Sequence, residues 1–380
     1  MDLEELSQRY LTLRRDRDIL KERYVEQDSV LEKEMGEIES VSYGAFIIPG
    51  LVMLTLLGEP AQQAKADAQA VMAIETAFAE ASLSRVDRRD PRKLFHPMDL
   101  AKLQALSPAF PWKQYFAGRA MDRVSRINVT EPAFFQGLQK QLTSRSVEEW
   151  KAYLRWHLVH IKAPMLASAF VNENFEFYNK HLRGVEAMPP LWKRCVQRID
   201  RDLGEALGQV FVQKTFGADT KARTVAMTKE IEAAMQTEIE QLPWMGPATK
   251  KRALEKLHAI ANKIGYPDKW RDYSSVKVTR DDYYGNVERA TAFEVRRQLQ
   301  KIGKPLDRGE WQMTPPTVNA YYDAQMNDIN FPAGVLQPPL YDPKMDDAPN
   351  YGNTGATIGH ELTHRSEEHT SELQSRGLIS

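Results

Sequence analysis

Helical patterning dominates the sequence between Ala61 and about Gly265. Apolar residues recur there at spacings of three and four, and Gly, Pro and Asn are scarce inside the repeats. This spacing is typical of amphipathic helices that each bury one face. A Ser146–Glu149 capping box predicts one helix start, and Pro189 and Pro190 predict a break before the next helix. Further helices are predicted over residues 191–216, 219–241 and 247–264.

The pattern changes after Gly265, where β-branched and aromatic residues become frequent. Residues 285–302 still predict a helix. Two short strands are predicted next, at 317–322 and 328–331, with a turn over 323–327 between them. A loop over 333–351 and a helix from about Thr354 complete the pattern. The sequence therefore predicts a mainly α fold with a partial α/β part, in which a large helical domain precedes the start of an α/β domain.

Composition excludes several classes of protein. The 380 residues include 51 Lys and Arg against 52 Asp and Glu, a net charge of −1, which argues against nucleic acid as a partner. The single cysteine, Cys195, cannot form an internal disulfide, and we expect it to be a packed core thiol. No apolar run reaches the eighteen residues expected of a membrane span, so no membrane anchor is visible, and no signal peptide follows Met1.

Residues 1–42 form a region of their own, with no proline and many charged residues. Their apolar residues fall at helical spacing and define what we call the N-terminal seam: Leu3, Leu6, Tyr10, Leu13, Leu20, Tyr24, Leu31, Ile38 and Val41. This pattern predicts a long helix. Packing of this helix on its own domain would explain the pattern as well as binding of a partner would.

The motif that carries chemistry is His360-Glu361-Leu362-Thr363-His364. His360 and His364 are four residues apart, so their imidazoles lie on one helical face and can bind one Zn²⁺. Glu361 can then act as the general base that takes a proton from water. The alternative is a surface helix with two solvated histidines, but three nearby glycines and two preceding strands favour the metal site.

Several other segments accompany this motif, and together they resemble one protein family. They are residues 265–270 (GYPDKW), 310–315 (EWQMTP), 318–322 (VNAYY), 331–339 (FPAGVLQPP) and 350–352 (NYG). With the histidine motif they strongly resemble the M13 zinc metallopeptidases, the neprilysin and endothelin-converting-enzyme family. The resemblance extends back to about Pro49.

The resemblance implies a helical domain followed by the start of a thermolysin-like (gluzincin) catalytic domain. Its domain division would be 1–46 as a charged helical segment, 47–265 as the helical domain and 266–364 as the N-terminal part of the catalytic domain. It also implies one Zn²⁺ per complete active site and peptide substrates, usually short ones. The location would be extracytoplasmic, while the oligomeric state stays open.

The resemblance also assigns roles to residues of this chain. His360 and His364 match the first two zinc ligands, and Glu361 matches the general base. Asn319 and Ala320 match strand residues that hydrogen-bond the main chain of the substrate, which is how an exposed strand edge binds an extended peptide.

The sequence departs from the family pattern after His364. The family continues with Gly-Phe-Asp-Asp and later supplies a Glu-x-x-x-Asp element whose Glu is the third zinc ligand, but only sixteen residues follow His364 here. Residues 365–380 resemble the conceptual translation of a sequencing adapter, so we expect an artefactual tail and an incomplete, inactive fragment. The alternative function is a non-catalytic helical scaffold that binds peptides or partners.

Three further candidates receive simpler explanations. His157 and His160 lie three residues apart on a predicted helix, but without nearby acidic ligands we expect packed or solvated histidines. Asn128-Val129-Thr130 is a glycosylation sequon that matters only in a secretory setting. Gly352, Gly355 and Gly359 fit neither a dinucleotide nor a P-loop fingerprint.

Overall fold

The structure is a computed structural model that describes residues 49–367. The chain divides into two compact units, residues 1–188 and 189–380. In unit 1 the helical residues 49–56 come first. The next elements of unit 1 are α1 (Ala61–Glu80), β1 (Pro97–Asp99), α2 (Leu100–Leu106), α3 (Trp112–Gly118), β2 (Arg126–Asn128), α4 (Pro132–Ser144), α5 (Val147–Lys162), α6 (Ser168–Asn174) and a π-helical segment (Phe175–His181).

The core of unit 1 forms where helices bury their small and apolar faces. On α1 the buried residues are Ala64, Ala68, Val71 and Ile74, at the spacing that one helical face requires. Helix α1 packs against α5. The capping box predicted at the start of α5 is confirmed, because the Ser146 side chain accepts from the Glu149 amide and the Glu149 carboxylate accepts from the Ser146 amide.

Unit 1 also holds a short two-stranded antiparallel sheet of β1 and β2, which the helical pattern did not predict. The side chain of Asn128 stabilises it by accepting from the His96 amide at 2.7 Å and donating to the Leu94 carbonyl at 2.9 Å. The asparagine of the sequon therefore has a structural role in this unit.

Unit 2 contains three long helices followed by a three-stranded sheet and the motif helix. Its elements are α7 (Leu191–Thr215), α8 (Ala218–Gln241), α9 (Pro247–His258), β3 (Ala261–Gly265), α10 (Tyr283–Leu299), β4 (Tyr321–Asp323), β5 (Asp328–Pro332), α11 (Asp347–Asn350), a π-helical segment (Tyr351–Gly355) and α12 (Ala356–Glu367). The strand order is β3-β5-β4, with β3 parallel and β4 antiparallel to β5.

The core of unit 2 lies between this sheet and α12. Ile264 of β3, Ile329 and Phe331 of β5, and Ile358 and Leu362 of α12 are all almost completely buried in one cluster. Because these apolar side chains fix α12 against the sheet, they set the position of the polar residues on the same helix. The mainly helical fold with a small sheet confirms the predicted fold class.

The prediction of one helix over residues 247–264 is wrong at its C-terminal end. Helix α9 ends at His258, and Ala261–Gly265 forms β3. Parallel pairing with β5 buries Ile264, and Lys263 forms a 2.5 Å ion pair with Asp328 of β5. These tertiary contacts outweigh the local helical pattern.

The strand predicted over 317–322 is displaced in the structure. Strand β4 covers Tyr321–Asp323, because the Thr317 amide bonds the Thr314 carbonyl and bends the preceding residues into a turn. The neighbouring prediction is accurate, since β5 covers Asp328–Pro332. The connection between them contains Asn327 in the left-handed region, with φ of 52°.

The prediction for Cys195 is wrong, because its thiol is exposed. It lies on α7 near Trp192, Val196 and Ile199, which are also exposed. The apolar residues beside Cys195 therefore point outward over this part of the helix.

The predicted start of the motif helix near Thr354 is late. Helical winding already begins with α11 at Asp347 and passes through the π-helical segment into α12. The predictions for residues 1–42 and for most of the tail lie outside the described residues. The division into domains near residue 265 stays a prediction. No helix within residues 49–367 has the length and apolar character needed to cross a membrane.

Candidate functional site

Helix α12 presents the three residues of the histidine motif in different environments. Ile358 and Leu362 are buried and fix the helix in the core of unit 2. Glu361 lies beside Leu362 on the buried face and is 6% exposed, whereas His360 is exposed and His364 is half-buried. The helix therefore holds the carboxyl inside the fold and leaves the imidazoles at the surface.

The two motif histidines converge on one point. Their Nε2 atoms are 2.8 Å apart, and their rings meet edge to face with centroids 4.4 Å apart. Two imidazole nitrogens that point at the same position are the arrangement a single metal ion requires from ligands at i and i+4. The predicted spacing thus brings the side chains together as expected, while their role as ligands stays a prediction.

Neighbouring groups modify the ionisation of Glu361, and one of them is the backbone of Tyr322 in β4, which favours the ionised carboxylate. Burial raises the pKa of the Glu361 carboxyl, while His364, His360 and the Tyr322 backbone oppose that rise. Sequence reasoning missed Tyr322, since a backbone group leaves no signal in the residue type.

Asn319 and Ala320 lie immediately before β4. The Asn319 side chain is exposed, and its Oδ1 accepts from the Ala320 amide at 2.9 Å. Ala320 itself is buried in the core of unit 2. Since β4 packs beside α12, the structure places this pair in the segment that leads into the strand beside the motif helix. Their role in substrate binding stays a prediction.

A buried ion pair supports the sheet behind α12. Lys263 Nζ lies 2.5 Å from Asp328 Oδ2, and the two side chains are 10% and 2% exposed. Lys263 also donates to the Glu310 carbonyl at 2.7 Å, and Asn330 donates to Asp328 Oδ1 at 2.6 Å. The signal for this pair was the charged Asp328 at the start of an otherwise apolar strand.

Among residues 49–367, no group of three His, Cys, Asp or Glu side chains gathers in a way that could hold a metal ion. The other histidine pair has different partners. His157 Nε2 lies 2.8 Å from Glu75 Oε1, and His160 stacks on Trp156 with centroids 5.0 Å apart. His157 and His160 are therefore packed against neighbouring side chains. One of these neighbours, Glu75, is acidic but distant in sequence.

A cavity of about 620 Å³ opens beside β3, away from the motif histidines. Tyr266 and Trp270 stack in its wall, with ring centroids 5.7 Å apart. Many of its charged side chains are already paired, as Arg271 is with Glu205 at 2.9 Å. The size of this cavity therefore does not identify the candidate catalytic residues of unit 2, which lie elsewhere.

Two models of one protein family match this chain. Residues 39–267 match the N-terminal model of peptidase family M13, and residues 319–379 match a second M13 model. The chain belongs to peptidase family M13. This membership confirms the resemblance in the sequence. The second match includes most of residues 365–380, and the foreign origin of this tail stays a prediction.

The similar proteins include endothelin-converting enzymes and their homologs. The chain is 31% identical over 343 residues to an endothelin-converting enzyme homolog of Locusta migratoria, covering 85% of this chain and 47% of that protein. It is 33% identical over 327 residues to endothelin-converting enzyme 1 of Rattus norvegicus, covering 82% and 42%.

Solved structures agree. The zinc metalloprotease Zmp1 of Mycobacterium tuberculosis, crystallised with an inhibitor, matches with a TM-score of 0.81 and 39% identity over 86% of this chain and 50% of that one. PepO of Lactobacillus rhamnosis matches with a TM-score of 0.79 and 28% identity over 90% and 53%. This M13 chain spans about half the length of the relatives it matches.

Proposed function

We propose that this chain contributes the helical region and the first part of the active site of a zinc-dependent metalloendopeptidase that hydrolyses small peptides. One observation carries the proposal. The His360 and His364 Nε2 atoms meet at 2.8 Å on a helix that also carries the buried carboxyl of Glu361. Membership of family M13 supports the same reading.

The donor set fits part of a zinc site. Two imidazole nitrogens directed at one point suit Zn²⁺, which prefers nitrogen, sulfur and carboxylate oxygen ligands. A catalytic zinc site needs three protein ligands. We therefore propose that the third, a carboxylate by family resemblance, lies outside residues 49–367.

Zinc and the residues of this chain would have separate roles in hydrolysis. Bound zinc would supply Lewis acidity, which polarises a peptide carbonyl and makes water more acidic. Glu361 would accept the proton of the attacking water on its carboxylate and pass it to the leaving amine. The Tyr322 backbone favours the ionised form of this carboxyl, which is the form that a base requires.

The segment before β4 would hold the peptide. Strand β4 is at one edge of the described sheet, and an extended peptide can bind along such an edge through main-chain hydrogen bonds. The Ala320 amide is bonded to the Asn319 side chain, so a peptide that uses this amide must displace the side-chain oxygen. We propose that Asn319 then contacts the peptide main chain, and that the protein acts outside the cytoplasm, as its family resemblance suggests.

A fluorogenic peptide assay tests the proton role. Glu361→Gln keeps the size of the side chain and removes the base, so zinc-dependent hydrolysis should fall by about 100-fold or more, as is typical when a general base is lost. His258→Gln, at an exposed histidine on α9, is the matched control and should leave hydrolysis unchanged. Measurable zinc-dependent hydrolysis that is equal in the Glu361 variant and the unaltered chain would overturn the assignment.

The 380-residue chain itself should hydrolyse little, because the described residues supply two ligands of three. The peptide hydrolysis assay is therefore run at the lowest concentration of the chain that gives detectable turnover. Resequencing the gene across the codon for His364 from independent DNA tests the cause. A frame that continues with Gly-Phe-Asp-Asp and later supplies a glutamate ligand is expected. A genomic tail followed by a stop would instead favour the non-catalytic scaffold.

A further inference from the structure

Helix α7 of unit 2 carries two buried glycines in its interior, Gly204 and Gly208. Glycine is less favourable than alanine inside a helix, so its presence indicates that another segment of the chain comes too close for a side chain. A Cβ atom on Gly208 would lie 2.7 Å from the Cδ and Cγ atoms of Pro315. A Cβ atom on Gly204 would collide with the methyl carbon of Thr314. The two glycines therefore form a seat for residues 314 and 315.

A hydrogen bond also fixes Thr314 to α7. Its Oγ1 donates to Asp200 Oδ1 at 2.8 Å and lies 3.0 Å from Thr317 Oγ1. The Thr317 amide donates to the Thr314 carbonyl at 3.0 Å, which closes what we call the 314–317 turn. A side-chain hydrogen bond and close packing thus attach this turn to α7.

Backbone contacts hold the turn against the rest of unit 2. The Gly334 amide, in the loop after β5, donates to the Pro315 carbonyl at 2.8 Å. The Gln312 amide, just before the turn, donates to the Tyr321 hydroxyl of β4 at 2.9 Å. Pro315 is buried and its ring is rigid, so it cannot give way to a larger neighbour by rotating a side chain. A group added on Gly208 would therefore move the backbone of the turn.

The 314–317 turn leads directly into the segment that we propose binds the peptide. Only Val318 separates it from Asn319, and two extended residues span about 7 Å. A displacement of the turn is therefore carried into Asn319 and the Ala320 amide before the chain enters β4. Main-chain hydrogen bonds require donor–acceptor distances of about 2.7–3.2 Å, so even a small displacement weakens peptide binding.

We propose that α7 positions the peptide-binding segment through the 314–317 turn. The positioning residues are Asp200, Gly204 and Gly208. They act by fixing the turn and do not themselves contact the peptide. This inference rests on the peptide-binding role proposed for the segment before β4.

Peptide binding by the full chain tests this positioning. The probe is a fluorescein-labelled heptapeptide of alanine and leucine with blocked termini, and fluorescence anisotropy in the presence of zinc measures its Kd. Gly208→Ala places a methyl group against Pro315 and should weaken binding about tenfold, as the loss of one good hydrogen bond would. Gly118→Ala on α3 is the matched control, because a Cβ atom there meets nothing within 4 Å and should leave the Kd unchanged.

The Thr314 hydroxyl provides a second pair of variants. Thr314→Val keeps the shape of the side chain and removes the donor to Asp200, so peptide binding should weaken about threefold. Thr314→Ser keeps the hydroxyl and should bind as the unaltered chain does. Zinc affinity should stay the same in every variant, because the motif histidines lie on α12 and not on the turn.

Equal peptide Kd values for Gly208→Ala and the unaltered chain would overturn the inference. Zinc affinity that falls in parallel with peptide affinity would also overturn it, because the substitution would then have displaced the motif helix as well. Circular dichroism checks folding, and the two Thr314 variants decide the question where Gly208→Ala does not fold. Failure of the unaltered chain to bind the probe would instead refute the peptide-binding role of the segment before β4, and the inference with it.

Discussion

The two units each carry a pair of histidines on one helix, and the pairs behave differently. On α5, His157 bonds Glu75 at 2.8 Å and His160 stacks on Trp156. On α12, the Nε2 atoms of His360 and His364 face each other at 2.8 Å. Helical spacing brings both pairs to one side of a helix, but the groups packed opposite decide whether the nitrogens are used in packing or converge on a point.

Buried carboxyls show the same contrast. In unit 2, the two motif histidines and the Tyr322 backbone favour the ionised form of Glu361. In unit 1, Glu173 Oε1 is buried and has no hydrogen-bond partner among the described residues. Burial, with the nearby Glu176, raises the pKa of Glu173 to about 7. Neighbouring groups favour ionisation of the carboxyl that we propose as the base, whereas the carboxyl of unit 1 is a cost to stability when ionised.

The largest effect is expected where the support of unit 2 is broken. Asp328→Ala leaves Lys263 buried without its partner, which should lower the free energy of unfolding of unit 2 by about 3–5 kcal/mol. Chemical denaturation of the full chain followed by tryptophan fluorescence measures this. Lys151→Ala breaks an exposed ion pair with Glu148 on α5 and should change the free energy of unfolding by less than about 1 kcal/mol. Equal midpoints for the two variants would contradict the account.

A substitution in unit 1 is expected to raise stability, by a smaller amount than Asp328→Ala lowers it. Because the folded pKa of Glu173, about 7, lies above its usual value of 4.5, this group makes stability fall as pH rises between those values. Glu173→Gln should therefore stabilise the chain by about 1–3 kcal/mol above pH 7 and have little effect near pH 4.5. Thermal unfolding across this range tests it, with the exposed Glu148→Gln as control. A pH-independent difference would contradict the stated cause.

The smallest predicted effect concerns the start of α5. Ser146→Ala removes one half of the capping box and should cost about 1 kcal/mol. Ser144→Ala, which removes an exposed hydroxyl bonded to the Lys140 carbonyl, should change stability by less than about 0.5 kcal/mol. Urea unfolding of both variants compares them, and equal losses would show that the cap does not hold this helix.

Local signals in the sequence predicted local features. The capping box at Ser146 and the four-residue spacing of the motif histidines both depend on residues within one helical turn, and both were found as predicted. Features that depend on distant partners were missed. Strand β3 forms because β5 pairs with it from more than sixty residues away. The contact of Glu75 with His157 spans 82 positions, so no spacing rule could reveal it.

The zinc affinity of the purified chain, determined by competition with a chelator, tests whether the motif histidines bind the metal. Because two of three ligands are present, we expect weak binding of one zinc ion, and His364→Ala should weaken it further by at least about tenfold. The same assay on His157→Gln should give the affinity of the unaltered chain, because that histidine is committed to Glu75. Zinc binding that survives His364→Ala unchanged, or that falls equally in His157→Gln, would contradict the assignment of the site to α12.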